Sequence, residues 1–202
     1  IKEAAELIKK SKKPIIIAGG GVFYSDATDE LSNFAKKHNI PVTQTVMGYS
    51  SMKKDHTHYL GTIGGLGGRA ANNLSKETDT AIAIGTKLAD FTTGSWANFE
   101  NPNFKLVSIN AARFDANKHM AQAIVGDAKV SLMELSQALG NWKADDNWYK
   151  KSRKELKDWE AYVEKESGPT NHKLPSYAQV IGACYRNSDP TDIAVTAAGG
   201  LV

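Results

Sequence analysis

Cysteine is nearly missing from this chain. Cys184 stands alone in 202 residues, which excludes an internal disulfide and a cysteine-based zinc cluster and suits a reducing cytoplasm. Long apolar runs are missing too. Nothing approaches the roughly 20 residues that span a bilayer, and no secretory signal opens the chain. A basic block is lacking: acids and bases are interspersed, with a net charge of +3, so the clustered basic face of a nucleic-acid binder is not offered. Lys9-Lys10 and Lys12-Lys13 read as the basic end of a helix, where cations suit the macrodipole. The chain begins at Ile1 and ends on Val202, directly after an expected strand, and it reads as a piece of a longer protein.

What is present is an alternation of short buried strands and amphipathic helices. Pro14–Ala18 and Thr80–Ile84 are uninterrupted apolar runs stopped by glycine, the pattern of strands covered on both faces. Further strands are expected at Ile40–Val46, Phe104–Ile109 and Ala123–Val125. Helices are expected at Ile1–Lys10 (Ala4, Ala5, Leu7 and Ile8 inward), Asp26–Lys37 (Leu31, Phe34, Ala35) and Arg69–Lys76 (Ala70, Ala71, Leu74). Another spans Ala128–Leu139, with Asp127 as N-cap and Val130, Met133 and Leu135 facing the core. Residues Gly48–Gly68 read as a long glycine-rich connection without periodicity, and such ordered loops are often functional or interfacial. This order predicts an α/β fold: a doubly wound, mostly parallel Rossmann-like sheet with helices on both faces.

That domain is expected over 1–140. A charged helical connector with Trp148, Leu156, Trp159 and Val163 as apolar positions follows over 141–170. The start of a second α/β domain is expected over 171–202, with a helix Ser176–Tyr185 and a strand Ile193–Thr196.

The loop after Thr80–Ile84 has the most particular order of residues, Asp90-Phe91-Thr92-Thr93-Gly94-Ser95-Trp96 with Phe99 beyond it. Loops leaving strand carboxyl ends are where open α/β sheets meet ligands or partner domains. Together with Pro14–Gly21, Gly61–Asn73, Ile109–His119, Val125–Ala128 and Asp192–Leu201, this loop resembles the middle domain of thiamine-diphosphate-dependent enzymes. Within that superfamily it is most similar to the ring-opening hydrolases that act on a trihydroxycyclohexanedione in inositol breakdown.

The resemblance implies a parent enzyme that uses thiamine diphosphate and Mg²⁺ on a small cyclic dione. It also implies partner domains on both sides of this one, and a homo-oligomer whose active site forms between two subunits. In that chemistry a glutamate from a preceding domain promotes the cofactor's ylid, and a Gly-Asp-Gly…Asn segment holds the metal and diphosphate. This chain has no Asp-Gly step anywhere, so it is expected to bind no cofactor and to be inactive by itself. Carried over by position, Gly199, Gly200 and Leu201 would line the cofactor pocket of the whole enzyme. No catalytic residue and no metal ligand is assigned within the chain. An acetolactate-synthase-like carboligase or decarboxylase, and a stand-alone FAD- or NAD-binding module, are the alternatives.

Other candidates favour bland roles. Gly19-Gly20-Gly21 lacks the third glycine of a dinucleotide fingerprint and reads as a turn for close packing. Gly65-Leu66-Gly67-Gly68-Arg69-Ala70 fits G-x-G-x-x-A but follows a loop, and Lys87 stands where relatives often carry arginine. Asp55, His56 and His58 fall short of a converging metal set. His119 is spaced for an ion pair with Asp115. Ser95 is not in a nucleophile elbow, Cys184 lies among Val180, Ile181 and Ala183 as an inert core thiol, and the aromatics Trp142, Trp148, Tyr149 and Trp159 suit packing.

Overall fold

A computed structural model describes residues 1–189 and 191–195. Six parallel strands form one sheet: β1 (Pro14–Ala18), β2 (Val42–Gln44), β3 (Tyr59–Thr62), β4 (Thr80–Ile84), β5 (Lys105–Asn110) and β6 (Gln122–Val125), in the order β3-β2-β1-β4-β5-β6. The doubly wound expectation holds. β1 and β4 lie side by side in the middle, with Ile16 opposite Ile82, and both are buried throughout. Three consecutive isoleucines in β1 are each 0% exposed. β-Branched side chains pack well on both faces of such a pleated surface.

Helix α1 (Lys2–Lys9) buries Ala4, Ala5 and Ile8. The short α2 (Gly20–Tyr24) and α3 (Thr28–His38) connect β1 to β2, and α4 (Arg69–Glu77) connects β3 to β4. The small helices α5 (Asp90–Thr93) and α6 (Arg113–Ala116) follow β4 and β5, and α7 (Ala128–Leu139) follows β6. α1 and α3 both pack against α7. The Asp127 carboxylate accepts from the Val130 N–H at 3.1 Å, so the expected cap is in place.

Two expectations change here. The stretch Gly48–Gly68 is not connection throughout, because β3 lies inside it and pairs with β2 at the sheet edge. Its four residues contain Gly61 at φ +97° and a register shift beside it, which hides the strand from a periodicity reading. The inward stripe of α7 is Ala128, Ser131, Leu132, Leu135 and Leu139, leaving Val130 and Met133 about half exposed. The buried positions recur three or four residues apart along one helical face, with Ser131 beside Leu132, and serine fits the close approach where a larger apolar residue was expected.

The first compact unit is Ile1–Leu156, so it takes in the first half of α8 (Asp146–Glu166). There Trp148 is buried, and its indole N–H donates to the Pro14 carbonyl at 2.8 Å. The Arg153 guanidinium donates to the Tyr59 carbonyl at 3.0 Å.

The second unit, Lys157–Val202, contains the rest of α8, where Trp159 stacks on Tyr162, and α9 (Tyr177–Arg186). A reciprocal capping box between Ser176 and Gln179 starts α9. Only Gly182 of α9 is buried, and Cys184 is exposed. The expected core thiol is therefore corrected: among the described residues nothing covers its face of the helix. Ile193 and Val195 are exposed and form no strand, while Thr196 lies outside the described residues. No helix among the described residues is long and apolar enough to cross a membrane.

Candidate functional site

β1 leads toward β2 on one side and β4 leads toward β5 on the other, so a crevice opens where the connections diverge, at the strand carboxyl ends. Ligands of open α/β sheets bind at this kind of switch point. The crevice has a volume of about 350 Å³. Its floor is glycine backbone from two turns, Gly20-Gly21 after β1 and Gly85 after β4. Gly19 N–H donates to the Ile84 carbonyl at 2.8 Å, and Gly21 N–H donates to the Gly85 carbonyl at 3.0 Å. A Cβ on Gly21 would lie 2.6 Å from the Gly85 Cα, and Gly85 itself sits at φ +60°. Both positions need glycine, one for space and one for conformation. The close-packing role expected of Gly19-Gly20-Gly21 is what these contacts describe.

The rim is apolar. Tyr24, Met47, Leu66 and Phe91 line the crevice and are 85%, 78%, 58% and 78% exposed. Thr45, Thr86 and Thr92 supply hydroxyls to the lining, and Lys87 its one cation. Sequence reasoning missed this rim as a set. Its signal was present: Met47, Leu66 and Phe91 each fall a few residues after a strand and beside glycine or polar neighbours, where nothing in the core requires an apolar side chain.

The loop after β4 is more ordered than a polar linker. Asp90–Thr93 form one turn of helix ended by Gly94 at φ +58°, and Thr93 is buried. The Phe91 carbonyl accepts from the Gly65 N–H at 2.7 Å. Asn72 holds the same corner, accepting from Gly64 N–H at 2.9 Å and from the Asn98 amide at 3.2 Å. The two stretches singled out in the sequence, Gly61–Asn73 and Asp90–Trp96, are thus one packed unit on the crevice wall.

Backbone with positive φ gathers beyond it, at Leu88, Ser95, Trp96, His119 and Met120. Non-glycine residues in that region concentrate at functional corners. His119 stacks on Trp96 with centroids 4.1 Å apart, and Phe99 and Phe104 pack behind. The expected His119–Asp115 pair is not formed. Asp115 pairs with Lys118 at 2.6 Å instead, because the left-handed turn at His119 carries its ring away from helical register.

Gly65–Ala70 is corrected as well. β3 ends at Thr62, so a strand does precede the G-x-G-x-x-A run, and α4 begins at Arg69 with Gly68 as N-cap. Yet a Cβ on Gly67 would meet the Thr62 carbonyl oxygen at 2.5 Å, so this glycine serves backbone packing.

Asp55, His56 and His58 gather no metal set, and no cluster of three or more metal-ligating side chains occurs among the described residues. Gly199, Gly200 and Leu201 lie outside the described residues.

Fold and crevice define a class, a doubly wound α/β domain with an open crevice at the carboxyl ends of its strands. The chain belongs to the family described as thiamine pyrophosphate enzyme, central domain, whose pattern matches residues 1–135. It is 45% identical over 138 residues to a 3D-(3,5/4)-trihydroxycyclohexane-1,2-dione hydrolase of Clostridium perfringens strain 13, covering 68% of this chain and 22% of the relative. A hydrolase of the same name from Clostridium botulinum strain Alaska E43 is 39% identical over 210 residues, covering 99% of this chain and 32% of the relative. A third, from Bacillus cereus strain ZK, is 43% identical over 139 residues, 69% of this chain and 22% of the relative. The chain spans less than a third of the length of these relatives.

Proposed function

We propose that this chain is the middle domain of a thiamine-diphosphate- and Mg²⁺-dependent hydrolase acting in the cytoplasm. That enzyme cleaves a ring carbon–carbon bond of 3D-(3,5/4)-trihydroxycyclohexane-1,2-dione with water, giving 5-deoxyglucuronate in myo-inositol breakdown. The observation that carries this reading is the similarity to a relative of that name along 99% of the chain, well past the sheet domain.

The domain's own part is mechanical. Its sheet core holds the crevice loops rigid, and the apolar rim of Tyr24, Met47, Leu66 and Phe91 seats neighbouring domains of a homo-oligomer. Gly199, Gly200 and Leu201, opening the next domain, let backbone approach the cofactor's diphosphate side. The chemistry itself belongs to residues beyond this chain.

The test is an assay of the full-length protein, supplied with thiamine diphosphate and Mg²⁺, on the cyclic dione and on pyruvate. Turnover of the dione alone is expected; turnover of pyruvate alone would replace this reading with a carboligase or decarboxylase. Calorimetry on the 202-residue chain is expected to show no micromolar binding of the cofactor.

A second reading has one observation in its favour. With β3 in front of it, the Gly65–Ala70 run has the strand–turn–helix setting of a nucleotide site. A thermal upshift with FAD or NAD would support that module, and no shift is the expected result.

A further inference from the structure

Two buried histidines hold the segment that leads into α8. His38, at the end of α3, and His58, just before β3, are 0% and 6% exposed. The His38 Nδ1–H donates to the Trp142 carbonyl at 2.8 Å, and its Nε2 accepts from the Ser136 hydroxyl of α7 at 3.0 Å. The Lys37 ammonium also donates to that hydroxyl oxygen, at 3.0 Å. This directs the serine proton toward the ring, so His38 fits its place as the neutral tautomer. The His38 carbonyl accepts from the Ala144 N–H at 2.9 Å.

Asn39, at φ +56°, continues the chain of contacts. Its amide donates to the Ala144 carbonyl at 3.2 Å and to the Asp146 carboxylate at 2.9 Å. Its carbonyl faces the His58 Nε2–H at 3.1 Å. His58 accepts from Thr57 at Nδ1, at 3.0 Å, and packs at a tilt against Tyr149 of α8 with centroids 4.6 Å apart. The Tyr149 hydroxyl donates to the Thr57 carbonyl at 3.2 Å.

We propose that His38 and His58 form a pH-sensitive latch that fastens Trp142–Leu156 to the sheet domain when both rings are neutral and releases it when they take up protons. The charges around them act in one direction. Lys37 and Lys143 face His38; His56, Lys36 and Arg153 face His58. Asp55 acts on His56, and Asp146 is engaged by Asn39.

Burial, helped by these cations, lowers both pKa values from the ordinary 6.5, that of His58 to about 4. The sign follows. A released histidine titrates at its ordinary value, so the latch is fully closed above about pH 6.5 and weakens as pH falls below it. Opening rises up to about tenfold per pH unit for each histidine. For His58 alone, the gain from 6.5 down to about 4 totals about 300-fold.

Hydrogen exchange on the 202-residue chain, corrected for intrinsic rates, reads this directly. Amides of residues 146–156 are expected to lose protection as the pH is lowered from about 7 to about 5, while β1 and β4 keep theirs. His38→Gln and His58→Gln should flatten that dependence. Lys143→Glu provides a variant that leaves both rings in place. Its carboxylate favours charged His38 in the closed form and should move the opening to lower pH. The latch is overturned if residues 146–156 open only together with β1 and β4. It is equally overturned if their pH profile is unchanged in the histidine variants or, where those fail to fold, in Lys143→Glu.

Discussion

The two ends of the sheet have opposite surfaces. At the amino ends of the strands, polar groups are used up within the fold. The Asp79 carboxylate takes the Ser11 hydroxyl and the backbone N–H groups of Lys12 and Lys13, the latter two at 2.8 and 3.2 Å. Thr78 donates to the Lys13 carbonyl, and Glu77 binds Lys13 and Lys151. At the carboxyl ends, backbone packs on backbone through glycine, and Tyr24, Met47, Leu66 and Phe91 face outward. A surface whose hydrogen bonds are closed internally serves stability; exposed apolar groups around a crevice mark a place where something docks. On the proposed reading, the amino end serves stability and the carboxyl end serves docking.

The largest effect should come from filling the glycine floor. Gly85→Val places a β-branched residue at φ +60° and drives its Cβ to 2.5 Å from the Gly21 Cα. With both strain and overpacking, urea denaturation should show a loss of about 3 kcal/mol or more. A loss under about 1 kcal/mol would mean the turns at the carboxyl end yield easily, and the contrast with the amino end would lose its basis.

Next is the amino-end knot. Asp79→Ala removes the acceptor for three donors around a half-buried site, for an expected cost of about 2 kcal/mol. In a full-length enzyme the same change is expected to leave the KM for substrate alone, because the proposed docking crevice lies at the opposite end of the sheet. A raised KM with unaltered stability would reverse the assignment of the two ends.

The central sheet was legible in the sequence, and the reasons are local. Ile15–Ile17 and Thr80–Ile84 admit no amphipathic helix, and the glycine after each fixes where the strand stops. Asp127 was readable as a cap because its side chain needs only the backbone three residues on. β3 was hidden because an edge strand with a glycine and a register shift carries no alternation. The inward stripe of α7 was misjudged where serine took a buried place that tertiary packing, chiefly against α1 and α3, defines. The histidines were read by spacing along the chain, whereas their partners lie about a hundred residues away for His38 and, for His58, on α8. The sequence drew attention to the connections leaving the strand carboxyl ends, but the rim of the crevice there depends on four side chains from four separate connections.

A smaller effect is expected from Glu77, which ties Lys13 at the amino end to Lys151 in the first half of α8. Its hydrogen bond to Lys151, and then that to Lys13, hold the carboxyl below the usual range. The stabilisation is therefore present above the ordinary glutamate pKa and is lost as pH falls through the depressed value. All three groups are more than a third exposed, so solvent screening limits the gain. Glu77→Gln should cost about 0.5 kcal/mol near neutrality and less in high salt. An effect of several kcal/mol would show that this surface network, rather than the Asp79 knot, secures the amino end.

The smallest effect on stability belongs to the rim, and there the comparison is sharpest. Tyr24, Met47 and Phe91 are each at least 78% exposed, so changing any one to serine should shift the unfolding free energy of this chain by no more than about 0.5 kcal/mol. If the carboxyl end seats the neighbouring domains, the triple variant of a full-length protein should lose turnover and oligomer together while its sheet domain melts as before. Intact turnover and assembly would show the rim to be ordinary exposed apolar surface. Loss of folding would place these side chains in the stabilising set, so that the two ends of the sheet no longer differ in kind. Only a change in assembly without a change in domain stability agrees with a crevice shaped by packed glycine and bordered by side chains that the domain's own core does not use.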